Sequence, residues 1–152
     1  MSCKIYRFTD ASVDPNLKTF SINPTDNIAM LQNPNAAANF TDKLKDKFSR
    51  ETKLILTNDA NSDLEFTCTI IEYNVSPIAV TNTETLAQNR LNIGVKVVCV
   101  NRKDDKGSYT QSFRDGENYD ANADLSSVEN NLSNIIFDRL VQQIFNKSFS
   151  NW

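Results

Sequence analysis

At 152 residues the chain suits one domain with its own hydrophobic core, and 39% hydrophobic with 23% charged residues indicates neither disorder nor a membrane-spanning segment. A formal net charge of -3 argues against a broad electrostatic grip on nucleic acid, and the absence of histidine removes His-based triads, His general bases and nearly all zinc-enzyme sites. No apolar run approaches the ~20 residues of a transmembrane helix, and no positively charged start leads into a signal-type apolar stretch.

In chain order, residues 1–16 carry no sustained period and include Pro15, so they read as an irregular leader. "LKTFSINP" follows as a short strand with Phe20 and Ile22 on one face, stopped by Pro24. "TDNIAMLQNPNAA" reads as a loop whose Ile28, Met30 and Leu31 seal an edge of the core. From Ala36 to Arg50, Phe40, Leu44 and Phe48 recur every four residues among charged neighbours, which is helical spacing with one apolar face. "TKLILTN" is a strand with Leu54 and Leu56 on one side. In "DLEFTCTIIEYNV", Leu64, Phe66, Cys68 and Ile70 alternate until Ile71, Tyr73 and Val75 take the opposite phase, which predicts a bulge or a strand covered on both faces.

"SPIAVTNTETLAQ" connects to the clearest strand, "NRLNIGVKVVCVN", where Leu91, Ile93, Val95, Val97 and Cys99 alternate strictly. Gly94 inside it marks a bend or a close approach. The polar turn "RKDDKG" leads into "SYTQSFR" and completes a hairpin, after which "DGENYDANAD" reads as a connection. The last helix spans Ser126 to Phe145 or beyond, with Ser126 and Glu129 spaced as a capping box, and Trp152 is read as a lid on the core or part of a partner surface. The order predicts an α+β fold: a single, mostly antiparallel sheet of about four strands with two helices packed on one face.

Chemistry-bearing residues are sparse. Asp120, Asn122 and Asp124 imitate the opening of a calcium loop, but Leu125 replaces the turn glycine and Asn131 the closing glutamate, so no metal is expected. Three glycines and no phosphate-binding glycine pattern leave no cofactor to expect, and Glu65, Glu72 and Glu84 are read as exposed positions rather than an acid–base pair. Cys68 and Cys99 sit among apolar neighbours, favouring buried thiols, with a disulfide open if the two strands meet in the right register. Arg90 and Lys96 share the polar face of the clearest strand, with Arg102 and Lys103 just beyond its end. These four form either a solubilising outer face or a cationic strip that holds phosphate groups.

The segments "FTDKLKDKF", "DLEFTCTIIEYNVSPIAV", "NRLNIGVKV" and "DLSSVENNLSNIIFDRLVQQIFNKSFSNW", in that order, resemble the LptE-type lipopolysaccharide-assembly lipoproteins in their Bacteroidetes form. The resemblance divides the chain into a lipoprotein leader or tether, 1–16, and one LptE-like α+β domain, 17–152. It implies a non-enzymatic protein on the periplasmic side of the outer membrane, anchored by acylation of an N-terminal cysteine. "SC" at Ser2–Cys3 fits the end of a lipobox, which makes Cys3 the expected attachment point, although the apolar part of the lipobox is missing from this sequence. The resemblance further implies an LptD-like β-barrel translocon as partner, lipopolysaccharide as ligand and no nucleic acid. Lipopolysaccharide carries phosphates and carboxylates, which gives Arg90, Lys96, Arg102 and Lys103 a role as candidate lipopolysaccharide contacts. The "SPIAVTNTETLAQ" loop is a candidate contact for the barrel. The rival reading is a structural adaptor lipoprotein that binds only protein.

Overall fold

The computed structural model describes residues 13–31, 33–79 and 86–149. Its elements are β1 (Thr19–Ile22), β2 (Asp26–Asn27), α1 (Ala36–Glu51), β3 (Ile55–Leu56), β4 (Leu64–Pro77), β5 (Gln88–Asn101), β6 (Tyr109–Asp120) and α2 (Leu125–Phe149). The sheet order is β3-β1-β4-β5-β6, with β2 paired beside β1 on β4. The fold is α+β with two helices, as expected, but the sheet has six strands and is mixed. β4, β5 and β6 form an antiparallel meander, whereas β1, β2 and β3 all pair in parallel. The parallel half follows from the connection: the chain leaves β1, crosses through α1 and returns beside β1 as β4, and a crossover of that kind sets strands in parallel. β2 and β3 are two residues each, too short for alternation to reveal.

Alternation in the long strands sends Leu64, Phe66, Cys68 and Ile70 of β4, and Leu91, Ile93, Val95, Val97 and Cys99 of β5, into one core. The expected phase slip is a bulge: the β4–β5 register shifts between Ile70 and Glu72, so Ile71 is the extra residue and Tyr73 returns to the core. α1 buries Phe40, Leu44 and Phe48, and α2 buries Ile136, Leu140 and Ile144 among others. The two helices run side by side in the same direction. Three rungs four residues apart fix their register: Asn39–Asn134 at 2.8 Å, Lys43–Asp138 at 2.7 Å and Lys47–Gln142 at 2.7 Å.

Several local expectations are corrected. Ile28, Met30 and Leu31 do not seal the core but stand exposed, Met30 at 99%. In "TKLILTN", Leu54 is buried while Leu56 is partly exposed at the sheet's edge. "DGENYD" is not a connection but the second half of β6, paired with β5 as far as Gln88–Asp120. The capping box does not form, because α2 begins at Leu125 and Ser126 lies inside its first turn, while Glu129 is partnered elsewhere. It accepts the Tyr73 hydroxyl at 2.6 Å and the Asn33 amide at 3.1 Å, while Ser126 turns to Asp124. Tyr73 is 2% exposed and its phenol is pushed well above the ordinary range, first by burial and then by Glu129. A buried hydroxyl needs a partner, and Glu129 supplies it. Trp152 lies outside the described residues.

Cys68 and Cys99 are buried free thiols. Cys68 faces Val97 and Cys99 faces Phe66, so the two cysteines are diagonal neighbours rather than opposite ones. Burial pushes both thiols up to about 12, with the neighbouring Cys99 adding to the shift of Cys68. Neither is therefore expected to react with a thiol reagent in the native state at neutral pH. Mass spectrometry after labelling should find both unmodified, and both modified once denaturant is present.

Where the sheet begins, Asp63 ties three strands together. Its carboxylate accepts the Lys18 and Thr19 backbone N–H groups at 2.7 Å and 3.1 Å, and its carbonyl accepts the Arg102 N–H at 2.9 Å. The Lys18 N–H is the main reason that the Asp63 carboxyl lies below the ordinary range. Asp63→Ala is expected to cost about 2 kcal/mol at neutral pH. A carboxyl whose pKa is lowered by folding stabilises fully above its unfolded value of about 3.9 and loses that contribution as pH falls through the lower folded value. Urea midpoints of wild type and variant should therefore differ at pH 7 and converge in acid.

Candidate functional site

Both helices lie against one face of the sheet, and the described residues leave the other face of β4, β5 and β6 uncovered. Alternation makes this outer face largely polar, apart from Val98 and Val100 at one end: β4 contributes Thr67, Thr69 and Asn74, β5 contributes Arg90, Asn92 and Lys96, and β6 contributes Ser112, Arg114 and Asn118. Strand pairing orders these groups. Arg90 is opposite Asn118, Gly94 opposite Arg114, and Lys96 opposite Ser112.

The four cations expected to form a strip fall into two groups. Arg102 donates to the Ser62 carbonyl at 2.7 Å and pairs with Glu65 at 3.4 Å, while Lys103 lies 3.8 Å from Asp63. Both are engaged at the end of the sheet. Among the described residues, Arg90 donates to the neutral amide of Asn118 at 2.9 Å and makes no ion pair, and Lys96 is exposed and likewise makes none. About 20 Å of strand separates Arg90 from Lys96, and about 40 Å separates Arg90 from Arg102.

Sequence reasoning missed Arg114. The β5–β6 register brings it across from Gly94, between Arg90 and Lys96 along the sheet. Arg114 and Glu72 reach toward each other over Gly94 from the two flanking strands and meet at 3.0 Å. A Cβ on Gly94 would stand 3.1 Å from the Cβ of Glu72 and 3.2 Å from the Cγ of Arg114, so the close approach expected at this glycine is a side-chain crossing. Gly116 plays a similar part for Arg90, because a Cβ there would come within 2.7 Å of the Arg90 Nε and 2.8 Å of the Leu91 carbonyl oxygen. The two arginines thus lie flat in gaps left by glycines on the neighbouring strands. The signal in the sequence was the pair of glycines, each placed across from or beside an arginine, but it needs the register to be read.

Between them is a shallow cleft of about 210 Å³, lined by Glu72, Arg90, Asn92, Ile93, Arg114 and Asp115. Asn92 bridges to the other flank, donating to Asn74 at 3.0 Å and Ser76 at 2.9 Å. Two guanidinium forks stand here beside the carboxylates of Glu72 and Asp115 and the amide of Asn92, a mixed-charge polar surface whose arginines can meet anionic oxygens and whose amides and carboxylates can meet hydroxyls. Of the carboxylates weighed as an acid–base pair, Glu65 and Glu72 each face an arginine rather than one another, and Glu84 lies outside the described residues. Asp120 accepts the Asn122 N–H at 2.9 Å in a turn leading to α2, as a solvated helix lead-in does. Cys3 and residues 80–85 of the long β4–β5 loop also lie outside the described residues.

A family model described as LptE, lipopolysaccharide-assembly, matches residues 17–148. No curated protein sequence matches the chain. Among solved structures, an uncharacterised lipoprotein B from Nitrosomonas europaea superposes with a TM-score of 0.61 at 15% identity, covering 99% of this chain and 92% of that one. A minor lipoprotein from Acinetobacter baumannii gives 0.58 at 18% identity, covering 88% and 94%. A hypothetical protein from Chlamydia trachomatis gives 0.59 at 11% identity, covering 89% and 99%. At these identities the likeness is one of fold.

Proposed function

The chain belongs to the LptE lipopolysaccharide-assembly family, and from that premise we propose that it is a lipid-anchored, non-enzymatic assembly factor that binds lipopolysaccharide on the uncovered face of its sheet. Membership implies a role in lipopolysaccharide assembly; the ligand contacts, the partner and the anchor are the proposal's own. No helix among the described residues is long and apolar enough to cross a membrane, and attachment is assigned to an acyl anchor on Cys3. The partner is an LptD-like β-barrel translocon of the outer membrane, entered from the periplasmic side. Barrel interiors are polar, and the outer face of β4, β5 and β6 has matching hydrogen-bonding chemistry.

The observation that carries the ligand assignment is the glycine-seated pair Arg90 and Arg114, with Lys96 further along the same face. Phosphates of the ligand meet the guanidinium forks, and sugar hydroxyls meet Asn74, Asn92 and Asn118. Arg102 and Lys103 extend the strip but stand at the end of the sheet, outside the cleft, so they contribute less.

Two assays on the purified protein test this reading. Titration with lipopolysaccharide should show saturable binding that weakens with salt, and co-expression with the barrel should yield a stable complex. Capture of the barrel without lipopolysaccharide binding would favour the adaptor reading. Failure of both would end the assignment.

A further inference from the structure

β6 is the outermost strand at one side of the sheet, and its free edge is guarded over only half its length. The Ala121 N–H donates to the Ala87 carbonyl at 3.1 Å, in line with the β5–β6 register. Main-chain groups alternate sides along a strand, so odd-numbered residues of β6 face β5 and even-numbered ones face outward. At Gly116 both outward groups are occupied: its N–H donates to Asp115 at 2.7 Å, and its carbonyl accepts from Arg139 of α2 at 3.3 Å. Arg139 is held there by Glu117 at 2.6 Å and Asp115 at 3.6 Å. That half of the edge is closed by a side chain from the helix.

The other half has no such cover. Thr110, Ser112 and Arg114 are exposed, and among the described residues their outward N–H and carbonyl groups have no partner. From Tyr109 to Phe113 the strand holds no charge and no proline, the usual devices against edge pairing. The opposite margin of the sheet, β3, is only two residues long. An open stretch whose one charge, Arg114, stands at its end and is paired with Glu72, beside a guarded one, is a specific surface and not a general property of the sheet.

We propose that this half-edge pairs antiparallel with the same half-edge of a second copy of the chain, about a two-fold axis at Ser112. Only that centre engages Thr110, Ser112 and Arg114 of both copies. It sets Ser112 against Ser112 of the other copy and Thr110 against Arg114, all on the outer face, so the two sheets join with their faces matched. It also sets Tyr109 against Asp115 of the other copy. Lys147 lies over the Tyr109 ring, 5.6 Å from its centroid, and so comes beside that carboxylate, which it would share with the 3.6 Å contact to Arg139, once on each side of the axis. This charge complementarity selects a second copy over an arbitrary strand. Five paired residues span about 17 Å and bury less than the ~800 Å² per partner of a stable interface, so the association is weak and concentration-dependent.

Sedimentation equilibrium of the whole chain over a concentration series, with amide hydrogen exchange read residue by residue, tests the pairing. Association should rise with concentration, and exchange at Thr110, Ser112 and Arg114 should slow with it. Ser112→Pro removes an outward N–H that makes no bond to β5, a position where proline is compatible with a sheet. It should leave circular dichroism unchanged and weaken association about tenfold or more. Ser112→Lys gives the same readout without a backbone change. A wild type that stays monomeric to millimolar concentration overturns the proposal. Equal association in both variants, or slowed exchange elsewhere, also overturns it. Lipopolysaccharide binding is measured separately, so neither result depends on the other.

Discussion

Phe48→Ala is expected to destabilise the domain by about 3–5 kcal/mol, the largest effect of any single truncation considered. Phe48 comes from α1 and is fully buried. Its ring meets Phe66 of β4 at 4.9 Å, Phe149 of α2 at 5.1 Å, Phe20 of β1 at 5.8 Å and Phe145 of α2 at 6.0 Å between centroids. One side chain therefore joins both helices to both halves of the sheet. Edge-on and tilted ring pairs of this kind add about 0.5–1.5 kcal/mol each beyond the area buried. Truncation leaves a cavity whose walls belong to four elements, and no single element can move to fill it. Set against a usual stability of about 5–15 kcal/mol, this loss brings the fold near its limit. In urea, where m is about 2 kcal/mol/M, the midpoint should fall by roughly 2 M with the slope unchanged. Phe48→Leu keeps most of the volume and should lose much less. Similar midpoints for the alanine variant and the wild type would show that Phe48 does not hold these elements together.

The second large effect concerns the ligand. Arg90→Ala combined with Arg114→Ala is expected to weaken lipopolysaccharide binding by at least about 100-fold, because two charge-assisted hydrogen bonds at roughly 1.5–3 kcal/mol each are lost. Stability should change little. Arg114 pairs with Glu72 at the surface with its own side chain 61% exposed, and pairs of that kind contribute about 0–1 kcal/mol. Arg102→Ala with Lys103→Ala is the control, because it removes the same charge about 40 Å along the strand from Arg90 and about 27 Å from Arg114. Its effect should stay within a few-fold. If both double variants lose affinity equally, net charge rather than the cleft governs binding. If neither does, the outer face is not the binding surface.

Gly116→Ala would probe the same geometry differently, since the added carbon meets the fixed carbonyl of Leu91 at 2.8 Å as well as Arg90. The close approach shows why these arginines are held as they are. It also shows why no inspection of single strands would have grouped them: Arg90 and Arg114 are 24 residues apart and become neighbours only through the hairpin register.

By itself, the sequence determined what depends on near neighbours. Four-residue spacing of Phe40, Leu44 and Phe48 marked α1, strict alternation from Leu91 to Cys99 marked β5, and the phase change after Ile70 marked the bulge. Those signals survive because helix and strand geometry act over a few residues, and burial of one face writes their period into the chain. The order of its characteristic segments also sufficed to suggest the family that the match over residues 17–148 shows. The tertiary structure decided whatever depends on contacts between distant segments. It made the sheet mixed by returning β4 beside β1, gave Glu129 to Tyr73 rather than to a cap, and held Arg102 and Lys103 at the end of the sheet, on Ser62, Glu65 and Asp63. It also brought in Arg114 and left half of the β6 edge open. Register and partner choice come from the summed fit of many long-range pairs, each worth little alone, and that sum has no local imprint in the sequence.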